Sequence, residues 1–417
     1  MTHALSESIA ALAQTILRPE ATTGGTLFDT LDLQAPDALL SLIALYRDDP
    51  RKAKIDLGVG VYKTPDGRTP VMRAVKAAEQ RLWETQETKS YLGPEGDVGF
   101  LEALAPIVLG ARIEGGVFAV QTPGGTGALR LAAELIATAR PGVRVFMGVP
   151  TWPNHPQLFA HTRLNVVTYR HFDAVAQVLC FDEMLAAFET GNPGDVVLLH
   201  GCCHNPTGAD LDTDQWRQVA EVVSRRGLTP LIDLAYQGLG DGVIADAAGL
   251  RQVVEAVPDT LIAYSCDKNF ALYRERVGAL FVTSRSSKRL DRIASNIRAL
   301  ARTNWSMPPD HGAAVVRIIL QDPVLTTEWS LELEGMLDRL TGIRKALVSA
   351  SPALTAIAGQ KGLFAQLPLS PSQVERLRRD HGVYMAGSGR INLAGLTAAS
   401  IPQFAHAYSA CAQEIPA

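Results

Sequence analysis

Val117-Phe118-Ala119-Val120-Gln121-Thr122-Pro123-Gly124-Gly125-Thr126-Gly127-Ala128-Leu129-Arg130 passes from an apolar strand pattern through a glycine-rich turn into a helical pattern that runs from Gly127 to Ala139. A strand feeding a helix through a short turn is the repeating unit of an α/β protein. The same alternation extends outward. Strand patterns are read at Ile55–Val61, Val143–Val149, Asn165–Tyr169, Asp195–His200, Thr229–Asp233, Thr260–Ser265 and Ala279–Thr283, with helical patterns between several of them. Pro36–Tyr46 is helical in period, and in Pro70–Trp83 the residues Val71, Ala74, Val75, Ala78 and Leu82 fall on one face. Trp329–Ala350 reads as one long helix, followed by strand patterns at Leu363–Leu367 and Arg390–Leu393 around a helix at Ser372–His381. The predicted fold is α/β. A large domain with a mostly parallel sheet precedes the long helix, and a smaller α/β domain follows it.

Composition narrows the class. Of 417 residues, 47% are hydrophobic and 20% charged, which is globular and not disordered. Lys plus Arg number 39 against 43 Asp plus Glu, a net charge of −4 that argues against a nucleic-acid partner. No stretch approaches 18 apolar residues, so no membrane span is expected. The five cysteines form no C-x-x-C pair, which fits a reducing, cytoplasmic compartment better than a disulfide framework or a zinc knuckle. Residues 1–25 have no Lys or Arg before Arg18 and carry Glu7, unlike a secretory or transit signal. They read as an N-terminal extension that ends at a flexible Thr22-Thr23-Gly24-Gly25 joint.

The residues that carry chemistry cluster after the strand patterns. Tyr264-Ser265-Cys266-Asp267-Lys268-Asn269-Phe270-Ala271-Leu272-Tyr273-Arg274-Glu275-Arg276-Val277-Gly278 puts a lysine just past an apolar strand. Lys268 is either a surface residue at a strand end or an amine whose pKa is lowered so that it forms a Schiff base. Arg276 would then hold an anion nearby. In Leu231-Ile232-Asp233-Leu234-Ala235-Tyr236, Asp233 either caps the next turn or pairs with a protonated ring nitrogen, at the strand end where α/β folds place ligands. Thr122–Arg130 is a phosphate site in outline. It is a poor dinucleotide fingerprint, because Arg130 stands where the third glycine belongs. Trp152, in Pro150-Thr151-Trp152-Pro153-Asn154-His155, is a core aromatic or a stacking platform. His200-Gly201-Cys202-Cys203-His204-Asn205-Pro206-Thr207-Gly208 lacks the second ligand pair of a metal site, so no metal is expected; Asn205–Gly208 reads as a tight turn with a candidate cis proline.

In this order the blocks resemble the class I, fold-type I pyridoxal-phosphate aminotransferases of the aspartate and aromatic amino-acid subgroup. The resemblance runs from Asp56-Leu57-Gly58-Val59-Gly60-Val61-Tyr62-Lys63 to Gly387-Ser388-Gly389-Arg390, nearly the whole chain after residue 25. It implies a seven-stranded, mostly parallel sheet in a large domain over 70–328. The smaller domain would combine 26–69 with the connecting helix and the C-terminal part, 329–417. It also implies pyridoxal 5′-phosphate as cofactor. Lys268 looks like the lysine that holds it as an internal aldimine and later moves the proton. Asp233 matches the acid that keeps the pyridine nitrogen protonated, and Tyr236 and Asn205 the donors to the phenolic oxygen. Trp152 corresponds to the ring-stacking aromatic, while Gly125, Thr126, Ser265 and Arg276 resemble the phosphate cup. Tyr91 looks like a tyrosine reaching the phosphate from a partner subunit. For the substrate, Arg390 matches the α-carboxylate clamp and Gly60 the backbone that closes over it. Arg302, in Ala301-Arg302-Thr303-Asn304-Trp305-Ser306, matches a partner-subunit reader of a distal carboxylate, and Phe364 sits where an aromatic lines the site.

The implied activity is ping-pong transamination of aromatic amino acids and aspartate with 2-oxoglutarate by a homodimer with shared sites. The alternatives are a strict aspartate aminotransferase and a non-catalytic regulator that binds the cofactor. A lyase or decarboxylase on the same scaffold is disfavoured by the two arginines. Three residues depart from the pattern. Asp267 stands where small hydroxyl residues are usual, and is unfavourable near a phosphate unless it points away or is paired. Ala271 replaces a usual glycine, which reads as minor. Met307 makes the wall beside Arg302 more apolar.

Overall fold

The computed structural model describes residues 26–33, 38–110 and 114–412; the extension 1–25 lies outside the described residues. The chain separates into two units, Met1–Ser41 and Leu42–Ala417. In the first, Thr26–Asp29 makes a turn in which the Asp29 carboxylate accepts the Thr26 N–H at 2.5 Å. The helix read at Pro36–Tyr46 is described as Ala38–Asp48.

The second unit is organised around a seven-stranded sheet. Its strands are β1 (Gly116–Pro123), β2 (Arg144–Val149), β3 (Asn165–Arg170), β4 (Val196–His200), β5 (Thr229–Leu234), β6 (Asp259–Ser265) and β7 (Val277–Ser284). Their spatial order is β1-β7-β6-β5-β4-β2-β3. β7 runs antiparallel to both of its neighbours, and the remaining pairings are parallel. Such strands must be apolar on both faces, and successive residues serve different cores. Leu198, Leu231 and Leu261 pack on one side, with Leu129, Ala132 and Ile136 of the helix Gly124–Ala139 and Ile297 of the helix Ser287–Asn304. Leu199, Ile232 and Ile262 pack on the other, with Phe100, Trp216, Val316 and Leu333 from four further helices.

The predicted strands of the sheet all form, each within about two residues of its expected ends. Four elements differ. The amphipathic helix read at Pro70–Trp83 forms at Arg73–Thr85. The helix after β1 starts at Gly124, not Gly127, because the glycines themselves form its first turn. The long helix spans Pro323–Ala350, starting six residues before Trp329. Pro323 is preset for a first helical turn, and the Asp322 carboxylate caps it by accepting from the N–H groups of Val324 and Leu325. Of the expected strand Ile55–Val61, only Ile55–Asp56 pairs, parallel to Val383–Tyr384. Leu57 is still held by backbone, donating to Tyr384 O and accepting from Asn392 N–H, each at 2.8 Å. Beyond it the segment is held by side chains, the Asn392 amide donating to the carbonyl oxygens of Val59 and Val61 and Arg390 Nη2 to Gly58 O at 2.9 Å. Among the described residues no helix is long and apolar enough to cross a membrane.

Candidate active site

Parallel strands deliver their carboxyl ends to one edge of the sheet. Asp233 is the next-to-last residue of β5, Ser265 ends β6, and Thr151–Trp152 and Asn205 follow β2 and β4 at that edge. Because β7 is antiparallel, its amino end lies at the same edge, which brings Arg276 beside Ser265 and the start of the helix Gly124–Ala139. These segments enclose a cavity of ≈ 270 Å³. Gly60, Gly125, Thr126, Trp152, Asn205, Asp233, Tyr236, Ser265, Lys268 and Arg276 all line it. Phe364 and Arg390 adjoin it: the Phe364 ring packs edge-on against Tyr236 at 5.8 Å, and the Arg390 guanidinium stacks 4.5 Å from the Phe364 ring centre. Tyr91 and Arg302 do not line it. Tyr91 is 92% exposed, and Arg302 is exposed at the end of its helix, donating to Ser306 Oγ.

Lys268 is not a surface lysine. Burial pulls its ammonium below the ordinary lysine range, while Asp267 and Asp233 oppose that pull. Its Nζ lies 3.9 Å from Asp267 Oδ2 and 5.4 Å from the Tyr236 ring centre. The loop 266–276 that carries it is anchored from behind. Phe270 stacks on Trp329 of the long helix at 4.6 Å, and the Trp329 indole N–H donates to Asn269 O at 2.7 Å. Asp267 does not point away from the site. Its Oδ2 accepts from Arg276 Nη1 at 2.5 Å, whereas its Oδ1 is buried without a partner. Ala271 (φ +53°) and Arg276 (φ +55°) both hold the left-handed backbone conformation that favours glycine.

At the opposite end of the cavity Asp233 is the terminus of a buried relay. His155 Nε2 lies 3.0 Å from Asp233 Oδ2, Thr151 Oγ1 lies 2.8 Å from His155 Nδ1, and His200 Nε2 lies 3.0 Å from Thr151 Oγ1. Burial pulls His200 down to about 3, so it is neutral near pH 7. The tautomers that satisfy every contact point all the donors toward the carboxylate. Burial alone would raise Asp233; the His155 hydrogen bond and the nearby charges outweigh it and hold the carboxyl below its usual range. Burial pushes the Tyr236 phenol up, and the Asn205 amide reaches its oxygen at 3.4 Å. The Asn205–Pro206 bond is cis, as the Asn-Pro-Thr-Gly turn implied.

Arg390 is held rigidly, donating to Gly58 O at 2.9 Å and to Asn205 Oδ1 at 3.4 Å, with its Nε buried and unpartnered. Burial lowers its pKa, so an arriving carboxylate would relieve an exposed cost of desolvation. Cys202, Cys203 and Asp246 bring ligand-type atoms within 4.8 Å of one another. The Asp246 oxygens already accept N–H bonds from Gly238, Gly240 and Asp241, so the group reads as a loop clamp.

Sequence reasoning missed His155, Thr151, His200 and Tyr273. The first two stand beside Trp152 in a stretch already singled out. His200 pairs in register with Asp233 across β4 and β5, a signal that appears only once the strands are aligned. Tyr273 lines the cavity, and its hydroxyl accepts the Tyr62 N–H at 2.8 Å.

The comparisons with known proteins agree with this geometry. Residues 52–407 match the family of class I and II aminotransferases. The chain is 53% identical over 385 residues to a tyrosine aminotransferase of Rhizobium meliloti (strain 1021), covering 91% of this chain and 98% of that protein. It is 41% identical to the aspartate aminotransferase of Escherichia coli (strain K12), over 89% of this chain and 96% of that one. The solved aromatic-amino-acid aminotransferase of Burkholderia pseudomallei, covalently bound to pyridoxal phosphate, superposes with a TM-score of 0.90 at 38% identity, covering 93% of this chain and 100% of that one. The chain belongs to the class I and II aminotransferases and is a pyridoxal-phosphate-dependent enzyme of fold-type I.

Proposed function

We propose that the chain transaminates aromatic amino acids and aspartate in a ping-pong cycle with 2-oxoglutarate and glutamate as the common pair. The observation that carries this reading is the convergence of a buried lysine, a buried carboxylate and a glycine–arginine cradle on one cavity. The donor set fits pyridoxal phosphate. A Cβ on Gly124 would come within 2.6 Å of Arg276 Nη2, and one on Gly125 within 3.0 Å of Ser265 Cβ, so the cradle needs backbone there. When bound, the cofactor supplies an electron sink for the α-carbon of the substrate.

The chain's own residues do the rest. Lys268 Nζ would hold the cofactor and then carry the substrate's α-proton; its lowered pKa favours the neutral amine that both tasks need. Asp233, kept ionised by His155, would hold a proton on the ring nitrogen. Tyr236 and Asn205 would donate to the ring oxygen, and Trp152 would stack on the ring. Gly125, Thr126, Ser265 and Arg276 would hold the phosphate. Arg390 clamps the α-carboxylate with a guanidinium already oriented by Phe364, and Gly60 closes over it.

Tyr91 and Arg302 are absent from the cavity of their own chain and exposed. This supports a homodimer in which each completes the partner's site. We further assign 70–328 to a large cofactor domain and 26–69 with 329–417 to a small one, with 1–25 as an extension, and place the enzyme in the cytoplasm. Among the described residues no cysteine forms a disulfide, which fits that compartment.

The test is a kcat/KM panel over aspartate, phenylalanine and tyrosine, in the wild type and in Arg302→Leu. Two charge-assisted hydrogen bonds to a distal carboxylate are worth roughly 1.5–3 kcal/mol each, so aspartate should lose roughly 10²–10⁴-fold. Phenylalanine should lose less than about tenfold. Equal losses would reject the specificity role of Arg302, and a wild type without aromatic turnover would be a strict aspartate aminotransferase. Mixing Arg302→Leu with Lys268→Ala subunits should restore part of the aspartate activity, because one of the two shared sites is then intact. No recovery in a confirmed heterodimer would place Arg302 in its own subunit's site.

A further inference from the structure

The anion cradle contains an anion of its own. Asp267 is 5% exposed and lines the cavity. Its Oδ2 takes a hydrogen bond from Arg276 Nη1, which also donates to Tyr273 O at 2.9 Å. Both protons of that nitrogen therefore serve the loop itself. Among the described residues the other oxygen, Oδ1, is buried with no donor. The groups that face Asp267 are few. Arg276, Lys268, Tyr273 and Cys266 stand on its own loop, and Asp233 lines the far side of the same cavity. The first turn of the helix Gly124–Ala139 has no acidic or basic side chain and contributes only its N–H groups and the positive end of its dipole. Arg276 is thus the cation that Asp267 and an incoming phosphate must share. A phosphate ester carries about −1.5 to −2 charges near neutral pH. Arg276 Nη2 faces the glycine turn, so a phosphate there divides one guanidinium charge between two anions, and a buried carboxylate that already lacks a donor on one oxygen keeps only part of its counter-charge on the other. Such a group is neutralised by a proton rather than left charged.

We infer that Asp267 couples cofactor capture to proton uptake: the carboxyl takes one proton from solvent as the cofactor phosphate settles on Arg276, and returns it when the cofactor leaves. This rests on the reading of Gly124–Thr126 and Arg276 as the phosphate cradle. The direction follows from linkage. The loaded protein binds one more proton than the unloaded one, so affinity is highest in acid. It falls as pH rises, by up to about tenfold per pH unit, between the points at which the unloaded and the loaded carboxyl lose their proton.

The probe is pyridoxamine 5′-phosphate, which forms no covalent bond to Lys268. Its Kd is measured on the full-length enzyme from pH 5 to 9 with Asp267 present, for Asp267→Asn and for Asp267→Ser, each checked for folding by circular dichroism. Ionisation of the probe is common to all three, and Lys268, whose ammonium Asp267 supports, is replaced by alanine in each, so the readout is the ratio of Kd with Asp267 present to Kd of the variant. That ratio should climb by at least about tenfold across the range, with both variants binding more tightly at pH 9. Either variant alone suffices if the other does not fold. A ratio that is flat with pH would overturn the coupling. Arg276→Gln separates the two levels of the argument. If it binds the probe as well as wild type at every pH, the phosphate cradle itself is misplaced. If it binds weakly while the ratio stays flat, only the proton coupling fails.

Discussion

The two ends of the Lys268 cavity settle their charges in different ways. At the Asp233 end the carboxylate closes a relay through His155, Thr151 and His200 in which each hydrogen bond is 2.8–3.0 Å. The backbone there belongs to strand ends and a helix, and no residue of the relay has a positive φ. At the Asp267 end one carboxylate oxygen has no partner, and Ala271 and Arg276 both sit at positive φ. A buried polar network is strongest when every member is satisfied, and a half-satisfied one is where structure yields. The Asp233 end is therefore suited to hold one protonation state throughout a cycle. The Asp267 end is suited to respond when a ligand arrives.

The sharpest way to break this contrast is to remove the lysine between the two ends. Lys268→Ala should lose about 10⁴-fold or more in turnover, the combined scale of covalent and proton-transfer catalysis. Mass spectrometry after borohydride reduction should show no cofactor bonded to the chain; a bonded cofactor with near-normal turnover would mean that another lysine does the work. Next comes Asp233→Asn, which keeps the shape of the closed end and deletes its charge. The half-reaction with aspartate should slow by about 10²-fold or more with cofactor still bound, as stopped-flow absorbance would show. An unchanged rate would remove Asp233 from the chemistry.

His155→Leu tests whether the relay matters. A hydrogen bond to a charged group is worth about 1.5–3 kcal/mol, or roughly one to two pH units. His155 holds the Asp233 carboxyl down, so its loss raises the pH at which Asp233 ionises. The acid limb of kcat/KM should move to higher pH by that amount; a limb that stays put would reduce the relay to packing. The smallest effect is expected at the strained end. Ala271→Gly relieves a left-handed alanine and should stabilise the holoenzyme by about 0.5–1 kcal/mol, read in thermal unfolding. A lower Tm would mean that the alanine methyl packs usefully.

The sheet and most of the cavity wall were legible in the sequence because apolar strands that end in Asp, Ser, Asn or a glycine turn carry both their fold and their chemistry locally. Lys268, Asp233, Trp152, Asn205, Gly125, Thr126 and Arg276 each lie within a few residues of such an end. The relay was not legible, since its contacts join residues far apart in the chain, as at Thr151 and His200. Nor was the fate of Asp267. A carboxylate beside the lysine looked like an electrostatic conflict, and only the loop's return at Arg276 shows it paired. Residues 58–61 looked like a strand because they continue an apolar run from Ile55; what the pattern hid is that the carbonyls of Gly58, Val59 and Val61 are claimed by the side chains of Arg390 and Asn392 instead of a neighbouring strand.

The hairpin between β6 and β7 has one more consequence. Cys266 N–H donates to Val277 O at 3.0 Å, and Ser265 faces Gly278 in register, so both ends of the loop 266–276 are pinned to the sheet. The loop is in effect a ruler of fixed length, with the lysine near one end and the arginine at the other. Lengthening it by a single residue would slide one reactive group against the other, however conservative the inserted side chain. Chemistry at this site can therefore drift by exchange of residues, as Asp267 and Ala271 illustrate, while insertions and deletions are confined to segments that the sheet does not hold at both ends.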